Sequence, residues 1–212
     1  PKVSRMTRMK QMDAVQRHIR LSMELVMCMV CAMAFGLAAV AVNFAPLFYG
    51  DDFAYSGTLM MPLAFTLLSI GFANVIRTQW VLPQGCDTIF VHSVLTGAVI
   101  NLIANFVLIP PLGAMGAAAA TVLAEFSVPA VQFVYLRKEL PYAHYLKTTG
   151  VYCLFGLVMA GVVALLGHVL PLHGWGNLAV QVIGGAAVYG ALCLTYWKLA
   201  KRSDIFRLMR RK

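Results

Sequence analysis

Residues 89–136 read Ile89-FVHSVLTGAVINLIANFVLIPPLGAMGAAAATVLAEFSVPAVQFVY-Leu136, two apolar runs parted only by Pro110-Pro111-Leu112-Gly113. A bilayer's hydrocarbon core, about 30 Å thick, takes about 20 residues of helix at about 1.5 Å each. Both runs are that long. Lipid offers backbone amides no partner outside the segment, so a helix is the conformation that satisfies them. A β-barrel would need short strands of alternating polarity, and these runs are continuous. The short Pro-Pro-Leu-Gly connection makes the two helices antiparallel neighbours.

Working outward from this hairpin, the same test finds six spans in the 212 residues: about Leu25–Phe48, Leu59–Ile76, Ile89–Ile109, Ala114–Leu136, Thr149–Leu170 and Leu178–Trp197. Composition agrees, with 60% hydrophobic and 12% charged residues, against about 25% charged in a soluble domain. That excludes a disordered chain, and five cysteines, four of them inside apolar runs, exclude a secreted disulfide scaffold. The expected class is all-α: a polytopic membrane helical bundle of six transmembrane helices. Its expected divisions are a basic cytoplasmic segment 1–24, four spans in 25–136, a cytoplasmic loop 137–148, two spans in 149–197 and a basic tail 198–212. Connections at Tyr49-Gly50-Asp51-Asp52, Leu82-Pro83-Gln84-Gly85, Leu140-Pro141-Tyr142 and His173-Gly174-Trp175-Gly176-Asn177 carry turn residues and are too short for a second domain.

A formal charge of +9 would in a soluble protein point to nucleic acid. Here the basic residues lie between apolar runs, which excludes that partner. If six spans alternate, all seventeen Lys and Arg fall on one side: six before the first span, Arg77 after the second, Arg137, Lys138 and Lys147 after the fourth, and seven after the sixth. The opposite loops offer only Asp51, Asp52 and neutral groups. The positive-inside rule then places both ends of the chain in the cytoplasm, with anionic lipid headgroups as partners of the basic tail. Trp80, Tyr142, Tyr145 and Trp197 are expected at the cytoplasmic interface, and Tyr49, Tyr55 and Trp175 at the outer one.

Few polar residues interrupt the spans. Glu125 stands halfway along the fourth, where a charge costs roughly 2.5–3.5 kcal/mol on insertion scales. It reads either as a coupling or cavity carboxylate, or as a neutral Glu holding two helices together. Asn101 and Asn105 share a face of the third span with Gly97, opposite a ridge of Gly113, Gly116, Ala117 and Ala120. They are polar glue in a tight hairpin or contacts for a substrate. Asn74, Arg77 and Gln79 cluster at the end of the second span; Arg77 is a phosphate ligand or an ordinary interfacial cation. Pro46, Pro62 and Pro129 permit kinks. Cys28-x-x-Cys31 lies in an apolar helix with no His or Asp beside it and reads as packing. No metal or cofactor motif is present.

The hairpin also carries a resemblance. Asn101-x3-Asn105-x3-Ile109-Pro110 followed by Gly113-Ala-x-Gly116-Ala-Ala-x-Ala-Thr121-x3-Glu125 resembles a hallmark of the polysaccharide flippases. Pro1-Lys2-Val3-Ser4 and Gln79-Trp-Val-Leu-Pro83-Gln-Gly85 resemble that family's segments before its later spans. The resemblance covers about residues 1–140 and implies the multidrug/oligosaccharidyl-lipid/polysaccharide exporter superfamily, lipid-linked oligosaccharide branch. It implies a two-lobed transporter of the bacterial cytoplasmic membrane, not an enzyme, of which this chain is the later part and lacks the N-terminal lobe. The implied substrate is a polyprenyl-pyrophosphate-linked repeat unit, flipped by alternating access for capsule, exopolysaccharide or O-antigen, with a polysaccharide polymerase as a further partner. No cofactor is implied beyond a proton or sodium gradient, for which Glu125 is the coupling candidate. The competing readings are a cation-coupled multidrug exporter of the same superfamily, a membrane-embedded glycosyl- or phosphotransferase, and a scaffold recruiting cytoplasmic enzymes.

Overall fold

The computed structural model describes residues 12–169 and 174–200. The basic segment before Met12, the tail from Lys201, and Leu170 and His173 of the expected fifth span and loop lie outside the described residues. Within them the chain is helical throughout: α1 (Met12–Tyr49), a short 3-10 turn (Asp51–Phe53), α2 (Ala54–Ala64), α3 (Thr66–Ile76), a π turn (Arg77–Val81), α4 (Asp87–Leu112), α5 (Ala114–Leu136), α6 (Tyr142–Val169) and α7 (Gly174–Leu199). Six stretches are long and apolar enough to cross a bilayer: Ala14–Tyr49, Asp51–Val81, Asp87–Leu112, Ala114–Leu136, Tyr142–Val169 and Gly174–Leu199. The chain is a multi-pass membrane protein.

Helix α1 is the axis of the bundle and packs against α2, α3, α6 and α7, while α4 packs on α5, which in turn meets α2 and α3. The α1 stripe Val15, Ile19, Met23, Met27 and Cys31 is fully buried, with Arg17 and Arg20 exposed on the other side. That repeat of four residues is a helix face. It begins well before Leu25 because Arg17, His18, Arg20 and Glu24 lower the mean hydropathy of the first turns without interrupting the stripe. The expected boundary at 24/25 therefore falls inside a helix. Likewise α6 starts at Tyr142, inside the loop expected over 137–148.

The second span is not one helix. Pro62 has no N–H for the helix ladder, and the Thr66 hydroxyl bonds back to the Leu63 carbonyl at 2.7 Å. The chain tightens at Phe65, whose N–H goes to the Pro62 carbonyl at 3.2 Å. It then widens at the π turn, where Leu82 N–H reaches the Arg77 carbonyl at 2.9 Å. Between the third and fourth spans the turn is shorter than Pro-Pro-Leu-Gly. Helix α4 runs through both prolines to Leu112, and Gly113 alone reverses the chain at φ 57°, a conformation glycine adopts without a Cβ penalty.

Trp80, Tyr142, Tyr145 and Trp197 are buried between helices, so these aromatics are core and not a belt facing headgroups. Tyr49, Tyr55 and Trp175 are exposed. The exposed face of α4, with Val99, Leu102, Ile103, Phe106 and Val107, would be insupportable in water.

Candidate functional site

Helices α3, α4 and α5 line an open cavity of about 520 Å³. Its polar lining is Asn74 and Arg77 from the second span, Asn101 from α4, and Thr121, Glu125 and Gln132 from α5. The remaining wall is apolar, including Ile70, Phe90, Val94 and Val128. Of the six residues singled out in the sequence, the structure brings Asn74, Arg77, Asn101 and Glu125 to one cavity.

Local structure explains each placement. Arg77 opens the π turn, and the wider turn directs it toward α4, where its guanidinium carbon lies 5.0 Å from the Phe90 ring centroid. Its Nε is buried without a hydrogen-bond partner among the described residues. The same holds for Oε1 of Gln132, a side chain only 1% exposed. Buried polar atoms of this kind are costly unless something pairs with them. The cavity wall therefore holds one buried, unpaired donor on a cation and one buried, unpaired acceptor on an amide.

The hairpin register follows from small residues. A Cβ on Gly97 would sit 3.1 Å from Val128 Cγ2 and 3.4 Å from the Ala124 carbonyl, which sets Gly97 level with the Ala124–Val128 turn that carries Glu125. A Cβ on Gly116 would collide with the Leu108 carbonyl. The α4–α5 axes are thus held close at both heights, the geometry expected of small residues between membrane helices. The ridge runs through Gly116, Ala120 and Ala124, all buried, while Ala117 is only half-buried and Gly113 is exposed in the turn. Thr121 turns its hydroxyl back to the Ala117 carbonyl at 3.0 Å.

Asn105 and Gln79 stand apart. Asn105 Nδ2 donates to Asn101 Oδ1 at 3.0 Å, so it orients Asn101 from one turn away without lining the cavity. Gln79 is half-buried on the π turn, outside the lining, with its Oε1 unpartnered among the described residues. Gln132, in contrast, escaped the sequence reading. Its signal is positional: it lies seven residues after Glu125, hence two turns along the same face.

A second buried carboxylate was also missed. Glu24, which the hydropathy boundary assigns to the cytoplasmic segment, is 2% exposed. The Tyr152 hydroxyl donates to its Oε1 at 3.2 Å, and Trp197 Nε1 donates to that hydroxyl at 2.9 Å. Glu125 is therefore not the only carboxylate inside the bundle. At the end of the bundle where Arg77 lies, Trp80 Nε1 donates to Glu139 Oε2 at 3.1 Å, linking the π turn to the loop between α5 and α6.

With this geometry in hand, comparison with known proteins is direct. A family model described as lipid II flippase MurJ matches residues 1–184. Among solved structures the chain is similar to a lipid II flippase MurJ in an inward closed conformation, with a TM-score of 0.75 and 16% identity. The similarity covers 92% of this chain and 41% of that one, so the chain spans less than half the length of the structure it matches. No curated protein sequence matches significantly. The expected superfamily of lipid-linked glycan flippases stands, and its members are transporters, not enzymes. The matching family within it, however, is the lipid II flippases, whereas the hairpin motif suggested the oligosaccharide branch. Part of that hairpin, the small residues Gly97 and Gly116 at its helix contacts, serves the close approach of two helices. From the match over residues 1–184, the chain belongs to the lipid II flippase MurJ family.

Proposed function

We propose that the whole protein flips a polyprenyl-pyrophosphate-linked glycan of the lipid II type across the cytoplasmic membrane, and that this chain contributes six of its helices and one wall of its polar path. The family match over residues 1–184 carries the reading. The physical argument is that a pyrophosphate-sugar head cannot cross hydrocarbon without a polar route, because its polar groups would lose water and gain nothing. The cavity between α3, α4 and α5 supports such a route, with the unpartnered Nε of Arg77 and Oε1 of Gln132 as groups that a phosphate or a sugar hydroxyl would satisfy.

In this reading the polyprenyl tail stays in lipid while the head passes between this bundle and the N-terminal lobe. Rocking of the two opens the path to one side and then the other. Asn74 and Asn101 contact the head, Asn105 and Gln79 support them, and Glu125 couples the movement to a proton or sodium gradient. Both ends of the chain face the cytoplasm, where anionic lipids hold the basic segments. A repeat unit for capsule, exopolysaccharide or O-antigen, with its polymerase as partner, is the second reading; the Asn101–Glu125 hairpin motif favours it.

The test is complementation by the full-length protein in two bacterial strains, one depleted of its lipid II flippase and one lacking its repeat-unit flippase. Rescue of growth in the first, with lipid II becoming accessible to a hydrolase added outside, is the expected result. Rescue of the second strain alone would transfer the assignment to the repeat unit. Rescue of neither, with the protein present in the membrane, would overturn the flippase reading.

A further inference from the structure

Cys28 and Cys31 lie almost one turn apart on α1, and each meets a thiol from a different helix. Cys28 Sγ is 3.6 Å from Cys193 Sγ on α7, and Cys31 Sγ is 3.8 Å from Cys153 Sγ on α6. Four of the five cysteines thus form two facing pairs that join parts of the chain 165 and 122 residues apart. Each pair has one buried member, Cys193 or Cys31, and one half-buried member, Cys28 or Cys153. Packing holds both registers. The Tyr189 hydroxyl donates to the Cys28 carbonyl at 2.7 Å, which pins α7 to α1 beside the first pair. The Phe35 ring lies against Gly156, where any Cβ would collide with it, which pins α6 beside the second. Among the described residues no group of three or more His, Cys, Asp and Glu is disposed to hold a metal ion. The four sulfurs are therefore two pairs and not one tetrahedral thiolate site.

We propose that the two pairs are a redox site, at which oxidation forms the interhelix disulfides Cys28–Cys193 and Cys31–Cys153 and fastens the α6–α7 hairpin to α1. Each closure breaks two S–H bonds and forms one S–S bond. Two protons and two electrons go to the oxidant. Because all four thiols lie inside membrane-spanning helices, that oxidant is a lipid-soluble quinone, which leaves as the quinol. The half-buried member of each pair is the point of entry. The sulfurs start in van der Waals contact and need to approach by less than about 2 Å to reach a bond of about 2.05 Å. In the reduced protein noncovalent contacts alone oppose movement of the hairpin over α1. Two covalent ties almost one turn apart prevent both sliding and rotation. The inference depends on the chain's being membrane-embedded and not on which cargo it carries.

The test uses the full-length protein in native membrane vesicles, with a specific protease site inserted after Lys138 in the loop between α5 and α6. Vesicles are treated with a short-chain ubiquinone analogue or with copper-phenanthroline, remaining thiols are alkylated, and the loop is cut. Expected are two fragments that stay joined on a non-reducing gel and separate with dithiothreitol. Mass spectrometry of the wild type should show the Cys28–Cys193 and Cys31–Cys153 peptides, with Cys86 alkylated. Cys28→Ser and Cys193→Ser should each remove only the first link, and Cys31→Ser and Cys153→Ser only the second. Fragments that separate after both oxidants, or links through Cys86 or between Cys28 and Cys31, overturn the proposal. So does joining by copper-phenanthroline alone, since that would demonstrate proximity without reaction with a quinone.

Discussion

The Ser69 hydroxyl donates a hydrogen bond to the main-chain carbonyl of Glu125. The residue four positions on from Glu125 is Pro129, which has no N–H, so α5 cannot satisfy that carbonyl itself. Ser69, on α3 just after the break at Phe65, supplies the missing donor from the neighbouring helix. Two irregularities in separate spans are thereby matched, and the match holds the carboxylate-bearing turn of α5 against the second span.

Ser69→Ala should leave the Glu125 carbonyl without its donor, at a cost of about 1–3 kcal/mol. Pro129→Ala restores an N–H at that position, so the double variant should recover most of the loss. Thermal unfolding of the detergent-solubilised full-length protein gives the comparison. Equal losses in the single and double variants would show that the bond is incidental.

Gly116→Ala should be the most damaging small substitution in the hairpin. Its Cβ would meet the main chain of Leu108, which cannot rotate away, and the two helices must separate. Overpacking of this sort costs about 1–3 kcal/mol. Gly161 in α6 provides the contrast, since nothing lies within 4 Å of a Cβ built there. Gly161→Ala should be neutral or stabilising by up to about 1 kcal/mol, the helix-propensity difference. A melting comparison in which the two substitutions behave alike would remove the close-approach argument.

The architecture was legible because a bilayer imposes length. Six spans and the antiparallel α4–α5 hairpin follow from runs of residues and one short turn, whereas Arg77 reaches the cavity of Asn101 and Glu125 only through tertiary packing. What escaped the sequence depends on direction around a helix, which mean hydropathy discards. Glu24 sits among charged neighbours and looks cytoplasmic, yet its side chain follows the buried stripe of Val15 to Cys31. Trp80 and Tyr145 occur at span ends, as interfacial aromatics do, yet they face inward. Cys28 and Cys31 seemed without partners because Cys193 and Cys153 are brought to them only by tertiary packing.

Glu24→Gln should separate the two roles a buried carboxylate can have. The amide keeps the volume and still accepts from Tyr152, so stability should fall by no more than about 1 kcal/mol. Tyr152→Phe removes the hydroxyl that donates to Glu24 and accepts from Trp197, and should cost about 1–3 kcal/mol. Unfolding measurements on the two variants check the order. A larger loss from Glu24→Gln than from Tyr152→Phe would mean that the negative charge, and not the hydrogen-bond chain, holds α6 and α7 to α1.

Glu125→Gln addresses the proposed coupling. The change is nearly isosteric, and the main-chain bond from Ser69 does not involve the side chain, so folding and membrane expression of the full-length protein should be close to wild type. Glutamine cannot release a proton or carry a negative charge, so a carboxylate that cycles during transport would be disabled. The expected outcome is a fall in flipping rate of at least about tenfold, equivalent to about 1.4 kcal/mol in the barrier, with unchanged thermal stability. Glu125→Asp, which keeps the charge on a shorter arm, should retain part of the activity. A full rate in Glu125→Gln at normal expression would reject coupling and leave Glu125 as an ordinary cavity residue, whereas equal losses in rate and stability would make it a structural one.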